Sequence, residues 1–261
     1  GFTGEKEMPN ENGKLEAKVV GRFGIESAMQ EYLAGRDGWR QHHRDARGLV
    51  VPGNSGSLLP PRAGLNVQLT IDMGLQAIVE EEMEACLAEF KSERGAVILM
   101  NPKNGEILAM ASVPDYDPNA FIPSISQDRW KNYNSNRLLS PLTNRAISPF
   151  APGSTMKIAT AVAGALEGMT GRSFSCDGYV SFGDYKLGCW IWNKSKGSHG
   201  SLTLPLAIQK SCNPYFNKLA NSIGWRDMVQ GCGKVGLGKA TGVELPGEKP
   251  GIVPGSDTWL N

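Results

Sequence analysis

The sequence has no apolar run of the ~18 residues that a membrane span needs, and no leading segment of the secretory-signal kind. It has no excess of charge of either sign: 27 Lys and Arg against 26 Asp and Glu leave a net +1. That balance excludes nucleic acid or an anionic surface as the main partner. Internal repeats, low-complexity tracts and tight C-x-x-C pairs are also absent. The five cysteines are an odd number, so a closed disulfide framework cannot use them all. There is no initiator Met before Gly1-Phe2-Thr3 and no clear terminal element at Trp259-Leu260-Asn261. Both ends read as cut, which leaves room for an anchor outside these residues. What remains is the composition of an ordinary globular protein, 40% apolar and 20% charged over 261 residues.

Residues 1–63 are polar, charged and Gly-rich, with too little apolar pattern for a core of their own. A short helix is expected over Ile25–Leu33 and a short strand over Arg47–Val51. The character changes at Gly64. Leu65, Val67, Leu69 and Ile71 alternate with polar residues, the period of a half-buried strand. Asp72 suits an N-cap, and Leu75, Ile78, Val79, Cys86, Leu87 and Phe90 fall on one helical face. Two apolar runs, Ala96–Met100 and Ile107–Ala111, flank Asn101-Pro102-Lys103-Asn104-Gly105 and predict a β-hairpin covered on both faces. Pro114, Pro118, Pro123, Pro141, Pro149 and Pro152 make 114–153 mostly loop. Thr155–Leu166 is apolar all round, as a buried helix would be. Helices follow near Leu206–Lys210, Tyr215–Ile223 and Trp225–Val235, with Gly224 a natural stop. This order is α+β, not the βαβα alternation of a parallel sheet.

Ser154-Thr155-Met156-Lys157 sets Ser154 at the entrance of the apolar helix, with Lys157 one turn along on the same face. A serine hydroxyl becomes nucleophilic when a base takes its proton, and a lysine amine serves once desolvation lowers its pKa. The helix N-terminus favours negative charge at Ser154. S-x-x-K alone means little, because Ser is simply a favoured N-cap. A lysine within an apolar helix is costly without a purpose, and Ser211-Cys212-Asn213 lies 57 residues after Ser154. S-x-x-K with S-D-N and K-T-G marks penicillin-binding proteins and class A β-lactamases.

The chain resembles the class B penicillin-binding proteins, within them the penicillin-binding protein 2 group of cell elongation. The resemblance runs through Gly24-Ile25-Glu26, Leu69-Thr70-Ile71-Asp72, Gly105-Glu106-Ile107-Leu108-Ala109-Met110-Ala111-Ser112, Asn144-Arg145-Ala146, Pro152–Lys157, His199-Gly200, Ser211-Cys212-Asn213 and Leu245-Pro246-Gly247-Glu248. It implies an α+β transpeptidase domain over 64–261, incomplete at its C-terminus, with a central antiparallel sheet and a buried helix starting at Ser154. Residues 1–63 would be part of an elongated accessory pedestal. It implies that Ser154 attacks the penultimate D-Ala carbonyl of a peptidoglycan stem peptide and that Lys157 takes its proton. Ser211 would relay a proton to the leaving amine, and Asn213 would bond the peptide and Lys157. β-Lactams would acylate Ser154. No cofactor would be needed for catalysis. A membrane glycan polymerase and elongation proteins would be partners, on the periplasmic face of a bacterial inner membrane. The third motif is missing. Lys239-Ala240-Thr241-Gly242 lies too close to Ser211 and belongs to the stretch Gly236–Glu248 that precedes that motif, so these residues alone are expected to catalyse poorly.

Cys176, Cys189, His199 and Cys212 are spaced x12, x9 and x12, a Cys₃His set suited to structural zinc. With Ser211 and Asn213 facing the cleft, Cys212 would face the body of the domain. The alternative is a Cys176–Cys189 disulfide with Cys212 as a small buried residue. Cys86 and Cys232 are expected to pack. His42 and His43 belong to a solvated basic stretch, and Asn144-Arg145 would brace the loop before Ser154. Trp190 and Trp192 would pack over the Cys/His lobe or line the cleft. Two other functions stay open: a serine β-lactamase or β-lactam sensor of the same fold, and a non-catalytic scaffold of the elongation machinery.

Overall fold

The computed structural model describes residues 1–9, 14–122, 124–136 and 139–256. Pro123 and Trp259-Leu260-Asn261 lie outside the described residues. Packing divides the chain into one unit of Gly1–Ile147 with Glu244–Gly247 and a second of Ser148–Val243 with Glu248–Asn261.

The first unit opens with an antiparallel ribbon of β1 (Phe2–Pro9) and β2 (Leu15–Phe23). The helix expected over 25–33 is split by non-helical Met29 into α1 (Gly24–Ala28) and α2 (Gln30–Leu33). A second ribbon joins β3 (Trp39–Arg44) and β4 (Val50–Leu59). The strand expected over Arg47–Val51 begins only at Val50, because the Asp45 carboxylate accepts from the amides of Arg47 and Leu49 and folds them into the turn. No described residue through Ala63 is buried, as the weak apolar pattern implied. Phe2 nevertheless stacks on Phe121, ring centroids 3.7 Å apart, tying β1 to the loop after Pro114.

The alternating segment Leu65–Ile71 forms no strand. Thr70 Oγ1 donates to Ile107 O of the following hairpin at 2.6 Å, and just past the segment Asp72 N donates to Leu108 O at 2.9 Å. A side-chain hydroxyl stands where a ladder needs an amide, and Leu65 and Leu69 stay exposed. Asp72 caps α3 (Met73–Glu89) as expected, accepting from Gly74 N and Leu75 N. The buried face differs from the expected one. Met83 is buried, with Leu75, Gln76, Val79 and Leu87 partly so, while Ile78, Cys86 and Phe90 are exposed. The cause is Gln76, whose amide takes Met110 N at 2.8 Å and gives to Met110 O at 3.1 Å. It pairs with the strand like a backbone amide and turns a polar residue inward. Cys86 is therefore not a packing residue.

β5 (Gly95–Met100) and β6 (Ile107–Val113) make the expected antiparallel hairpin. Gly105 supplies the positive φ of 81° at its turn. Ala109 and Ala111 of β6 are buried, but Val97, Ile98, Leu99 and Met100 of β5 are exposed. Among the described residues burial is confined to β6, and the hairpin is not covered on both faces as expected. The proline-rich stretch also holds a helix, α4 (Gln127–Ser135), capped by Ser126 Oγ accepting from Arg129 N. Proline spacing hid it, since the residues from 124 to 140 carry none.

The second unit is built around α5 (Met156–Leu166). Then follow β7 (Phe174–Cys176), β8 (Tyr179–Phe182), β9 (Tyr185–Gly188), α6 (Trp190–Ser195), β10 (Gly200–Leu202), α7 (Leu204–Gln209), α8 (Asn213–Ile223) and α9 (Trp225–Lys234). β7 pairs with β10 and β8 with β9, both antiparallel. Small residues let α5 meet its neighbours closely. A Cβ on Gly231 of α9 would collide with Ala163, and Gly164 seats Leu219 of α8. Ala159, Thr160, Ala161, Ala163 and Gly164 are buried, whereas Ile158 and Leu166 are more than half exposed. The helix is thus buried on one side among the described residues, not all round. Gly224, at φ 88°, turns the chain between α8 and α9, at the stop the sequence indicated. Cys232 is fully buried there, as expected.

Candidate active site

Ser154 lies in a single 3₁₀ turn, Gly153–Thr155, that runs directly into α5. Gly153 takes φ 55°, and the Thr155 amide and hydroxyl both donate to Pro152 O. The hydroxyl of Ser154 is therefore presented, exposed, at the mouth of the helix. One turn along, Lys157 Nζ lies 3.0 Å from Ser154 Oγ. The same amine donates to Ser211 Oγ at 2.9 Å, Ser211 O at 2.9 Å and Asn213 Oδ1 at 2.7 Å. Ser211 Oγ in turn lies 3.2 Å from Ser154 Oγ. Two motifs 57 residues apart thus close into one hydrogen-bonded cluster.

Local structure explains how Ser211 reaches it. Ser211 sits at φ 47°, a left-handed conformation costing about 1–2 kcal/mol for a residue with a Cβ. The turn is held by Ser211 N on Ile208 O and Cys212 N on Ala207 O, both at 3.0 Å. Asn213 then opens α8, with Pro214 next, where a missing N–H costs nothing. Its Nδ2 donates to Gly188 O at 3.1 Å, so the amide is oriented with its oxygen toward Lys157. That backbone partner left no sign in the sequence. Burial holds Lys157 below the usual lysine pKa, with Cys189 and Cys212 acting electrostatically in the opposite sense.

Chain comparisons give the same assignment. The family described as the penicillin binding protein transpeptidase domain matches residues 95–261. The chain belongs to that family. Stage V sporulation protein D of Bacillus subtilis is 34% identical over 240 residues, covering 89% of this chain and 34% of that protein. The peptidoglycan D,D-transpeptidase MrdA of Acinetobacter baumannii is 32% identical over 97% of this chain and 37% of its own length. The chain therefore spans about a third of the length of these relatives. Among solved structures, penicillin-binding protein 2 of Helicobacter pylori in complex with MreC gives a TM-score of 0.80 at 28% identity, over 99% of this chain and 47% of that one. Penicillin-binding protein 2 of Pseudomonas aeruginosa in complex with WCK 5153 gives 0.73 at 28% identity, over 99% and 52%. The α+β transpeptidase fold expected from the sequence is thus the observed one.

The near-match to the third motif is placed by its partners. Lys239–Gly242 is in no strand; the Thr241 amide and hydroxyl donate to Glu248 Oε1 at 2.7 and 2.6 Å, and Gly242 N to its other oxygen. These bonds draw the Glu248 carboxyl below its usual pKa. The hydroxyl is spent on a loop clamp, consistent with rejecting it as an active-site strand.

Cys176, Cys189, His199 and Cys212 also come together, their ligand atoms all within 4.8 Å of one another. His199 Nδ1 is 3.6 Å from the sulfurs of both Cys176 and Cys189. The three cysteines are buried, and none is in a disulfide, so the alternative Cys176–Cys189 bridge is not formed. Burial pushes the Cys212 thiol up to about 12, with Cys176 and Cys189 adding to the effect. Burial, and secondarily Lys210, lowers His199. Its Nε2 is buried without a hydrogen-bond partner among the described residues. A donor set of three thiols and one neutral imidazole fits zinc.

The other residues singled out in the sequence have surroundings of their own. His42 and His43 lie exposed on β3. Arg145 is buried and braces its own loop, donating to Ser140 O and Thr143 O. Trp192 packs against Tyr179, ring centroids 5.2 Å apart.

Proposed function

We propose that the protein is a peptidoglycan D,D-transpeptidase working through an acyl-enzyme on Ser154. The observation that carries this reading is the placement of Lys157 Nζ within 3.0 Å of Ser154 Oγ, Ser211 Oγ and Asn213 Oδ1 together. Neutral Lys157 takes the Ser154 proton as Oγ attacks the carbonyl carbon of the penultimate D-Ala of a stem peptide. The tetrahedral adduct collapses with cleavage of the C–N bond. Ser211 passes a proton from Lys157 to the leaving nitrogen, and terminal D-Ala departs as a neutral amine. The amine of a second stem peptide then attacks the ester, the C–O bond breaks, and the proton returns to Ser154. Asn213 keeps Lys157 aimed and has one amide hydrogen left for the peptide. A β-lactam opens its ring on the same hydroxyl and leaves no departing group, so its ester persists.

A fluorescent penicillin separates this from the β-lactamase reading. With the protein expressed from its whole reading frame, the label is expected to stay on the chain after excess drug is removed. Rapid loss of label with recovery of free serine and release of hydrolysed drug would defeat the transpeptidase assignment.

The Cys₃His set is proposed to hold structural zinc, with Cys176, Cys189, His199 and Cys212 as ligands. Zinc there would cross-link β7, the end of β9, the residue before β10 and the residue between Ser211 and Asn213; it takes no part in proton transfer. Purified protein is expected to carry about one zinc per chain. Chelation should expose the three thiols to a thiol reagent and lower the melting temperature. Absence of zinc together with two fewer titratable thiols would refute the site.

Residues 1–63 are proposed as part of an accessory pedestal, the transpeptidase domain filling 64–261. The two exposed ribbons support this division, and the family match covers residues 95–261 of the proposed domain. The location proposed is the periplasmic face of a bacterial inner membrane. Among the described residues no helix is long and apolar enough to cross a membrane. Elongation proteins and a glycan polymerase are proposed partners. One structural relative is bound to MreC, and another concerns coordination of polymerization and crosslinking by a peptidoglycan synthase complex.

A further inference from the structure

The turn that carries Ser211 is unusual in needing outside support. Ser211 is one of three described non-glycine residues at positive φ, and its hydroxyl must stay within hydrogen-bond reach of both Lys157 and Ser154. Three restraints act on it from nearby in sequence or from Lys157 itself. The two backbone bonds to Ile208 O and Ala207 O close the end of α7, and Lys157 grips Ser211 O. A fourth comes from elsewhere in the fold. The indole Nε1 of Trp190, first residue of α6, donates to Lys210 O at 2.8 Å. Lys210 O is one half of the peptide unit that ends at Ser211 N. The bond therefore fixes the plane of the peptide immediately before the strained residue.

We infer that Trp190 is a positioning residue, setting the pose of Ser211 through the Lys210–Ser211 peptide. The indole is suited to this. It offers one donor and no acceptor, so it cannot compete for the Lys157 ammonium. Its ring is tilted against His199 at 5.5 Å between centroids, which limits its swing. At 46% exposure, its removal leaves no large buried cavity. Its reach from α6 to the end of α7 is a direct side-chain bond to the turn, and the contact with His199 holds the ring in place for it.

This inference rests on the proposed transpeptidase reading, and its test is arranged so that the two fail separately. Trp190→Phe keeps an aromatic ring and deletes the N–H; Trp192→Phe serves as a control for aromatic packing. Both are made in the protein expressed from its whole reading frame. Stopped-flow acylation by a fluorescent penicillin resolves the binding constant from the acylation rate constant. Trp190→Phe is expected to slow the acylation step about tenfold, the scale of a sub-ångström misplacement of a reacting group, with drug binding changed less than about twofold. Hydrogen exchange at the Ser211 and Cys212 amides is expected to speed up by a similar factor, with α5 amides unchanged. Trp192→Phe should show neither effect. An unchanged acylation rate, or unchanged exchange at Ser211 and Cys212, would overturn the role of Trp190. Were the parent protein not acylated at all, the transpeptidase reading would fall, and the exchange measurement would still decide whether Trp190 positions the turn.

Discussion

Replacing Ser154 with alanine is expected to abolish the covalent adduct that the parent protein forms with penicillin, as read by intact mass and peptide mapping. The parent should gain the full mass of one drug molecule, because ring opening expels no leaving group. The result is not trivial here. Two serine hydroxyls, Ser154 and Ser211, lie 3.2 Å apart and both lie within 3.0 Å of the Lys157 amine. On proximity to the base alone, either is a plausible nucleophile. Access separates them. Ser154 is exposed at the start of α5, while Ser211 is partly buried and tied through its own carbonyl to Lys157. The α5 N-terminus also favours negative charge at Ser154. Loss of a catalytic serine costs on the order of 10⁶ in turnover in a well-studied hydrolase, so no slow residual adduct is expected. An adduct on Ser211 in Ser154→Ala would reverse the assignment. An unmodified parent protein, expressed from its whole reading frame, would remove the transpeptidase reading altogether.

How much of this could be read from residues depends on the range of the interaction involved. The Ser154 and Lys157 pair is one helical turn apart, so its geometry follows from helix periodicity. The joining of Ser211 and Asn213 to it needed the three-motif pattern of the family, since no local rule connects positions 57 residues apart. Elements punctuated by strong local signals came out as expected: the Asp72 cap, the hairpin around Gly105 and the break at Gly224. Periodicity misled where a polar side chain imitated backbone. Thr70 replaces an amide with its hydroxyl, and the apolar alternation of Leu65–Ile71 never becomes a strand. Gln76 pairs with Met110 and rotates α3 so that Met83, rather than Ile78 or Cys86, is buried. The Trp190 contact to Lys210 O and the Gly188 contact to Asn213 could not be read at all. Each ends on a carbonyl, and carbonyls have no residue type.

Replacing Lys157 with methionine is expected to slow acylation by about 10³, the middle of the range for loss of a general base, without weakening initial drug binding. Methionine keeps an unbranched apolar side chain in the turn and removes only the amine. The pH dependence carries the sharper test. Only the neutral amine can accept the Ser154 proton, so the acylation rate should rise with pH and level off once Lys157 is deprotonated. Burial lowers that pKa, so the plateau is expected to be reached below the ordinary lysine value of about 10.4. Stability should move in the same sense. Where the folded pKa lies below the unfolded one, the unfolded chain holds more protons, and the fold gains stability as pH rises through that window. Lys157→Met should flatten both the rate profile and this part of the stability profile. A rate that stays flat across the window in the parent protein, or a pH dependence that survives in Lys157→Met, would assign the base to another group. The cluster gives no obvious replacement: Ser211 and Asn213 each accept from Lys157, and neither side chain titrates near neutral pH. The proton from Ser154 therefore has one basic destination in the described site, and the pH at which the rate levels off reports how strongly burial disfavours its charged form.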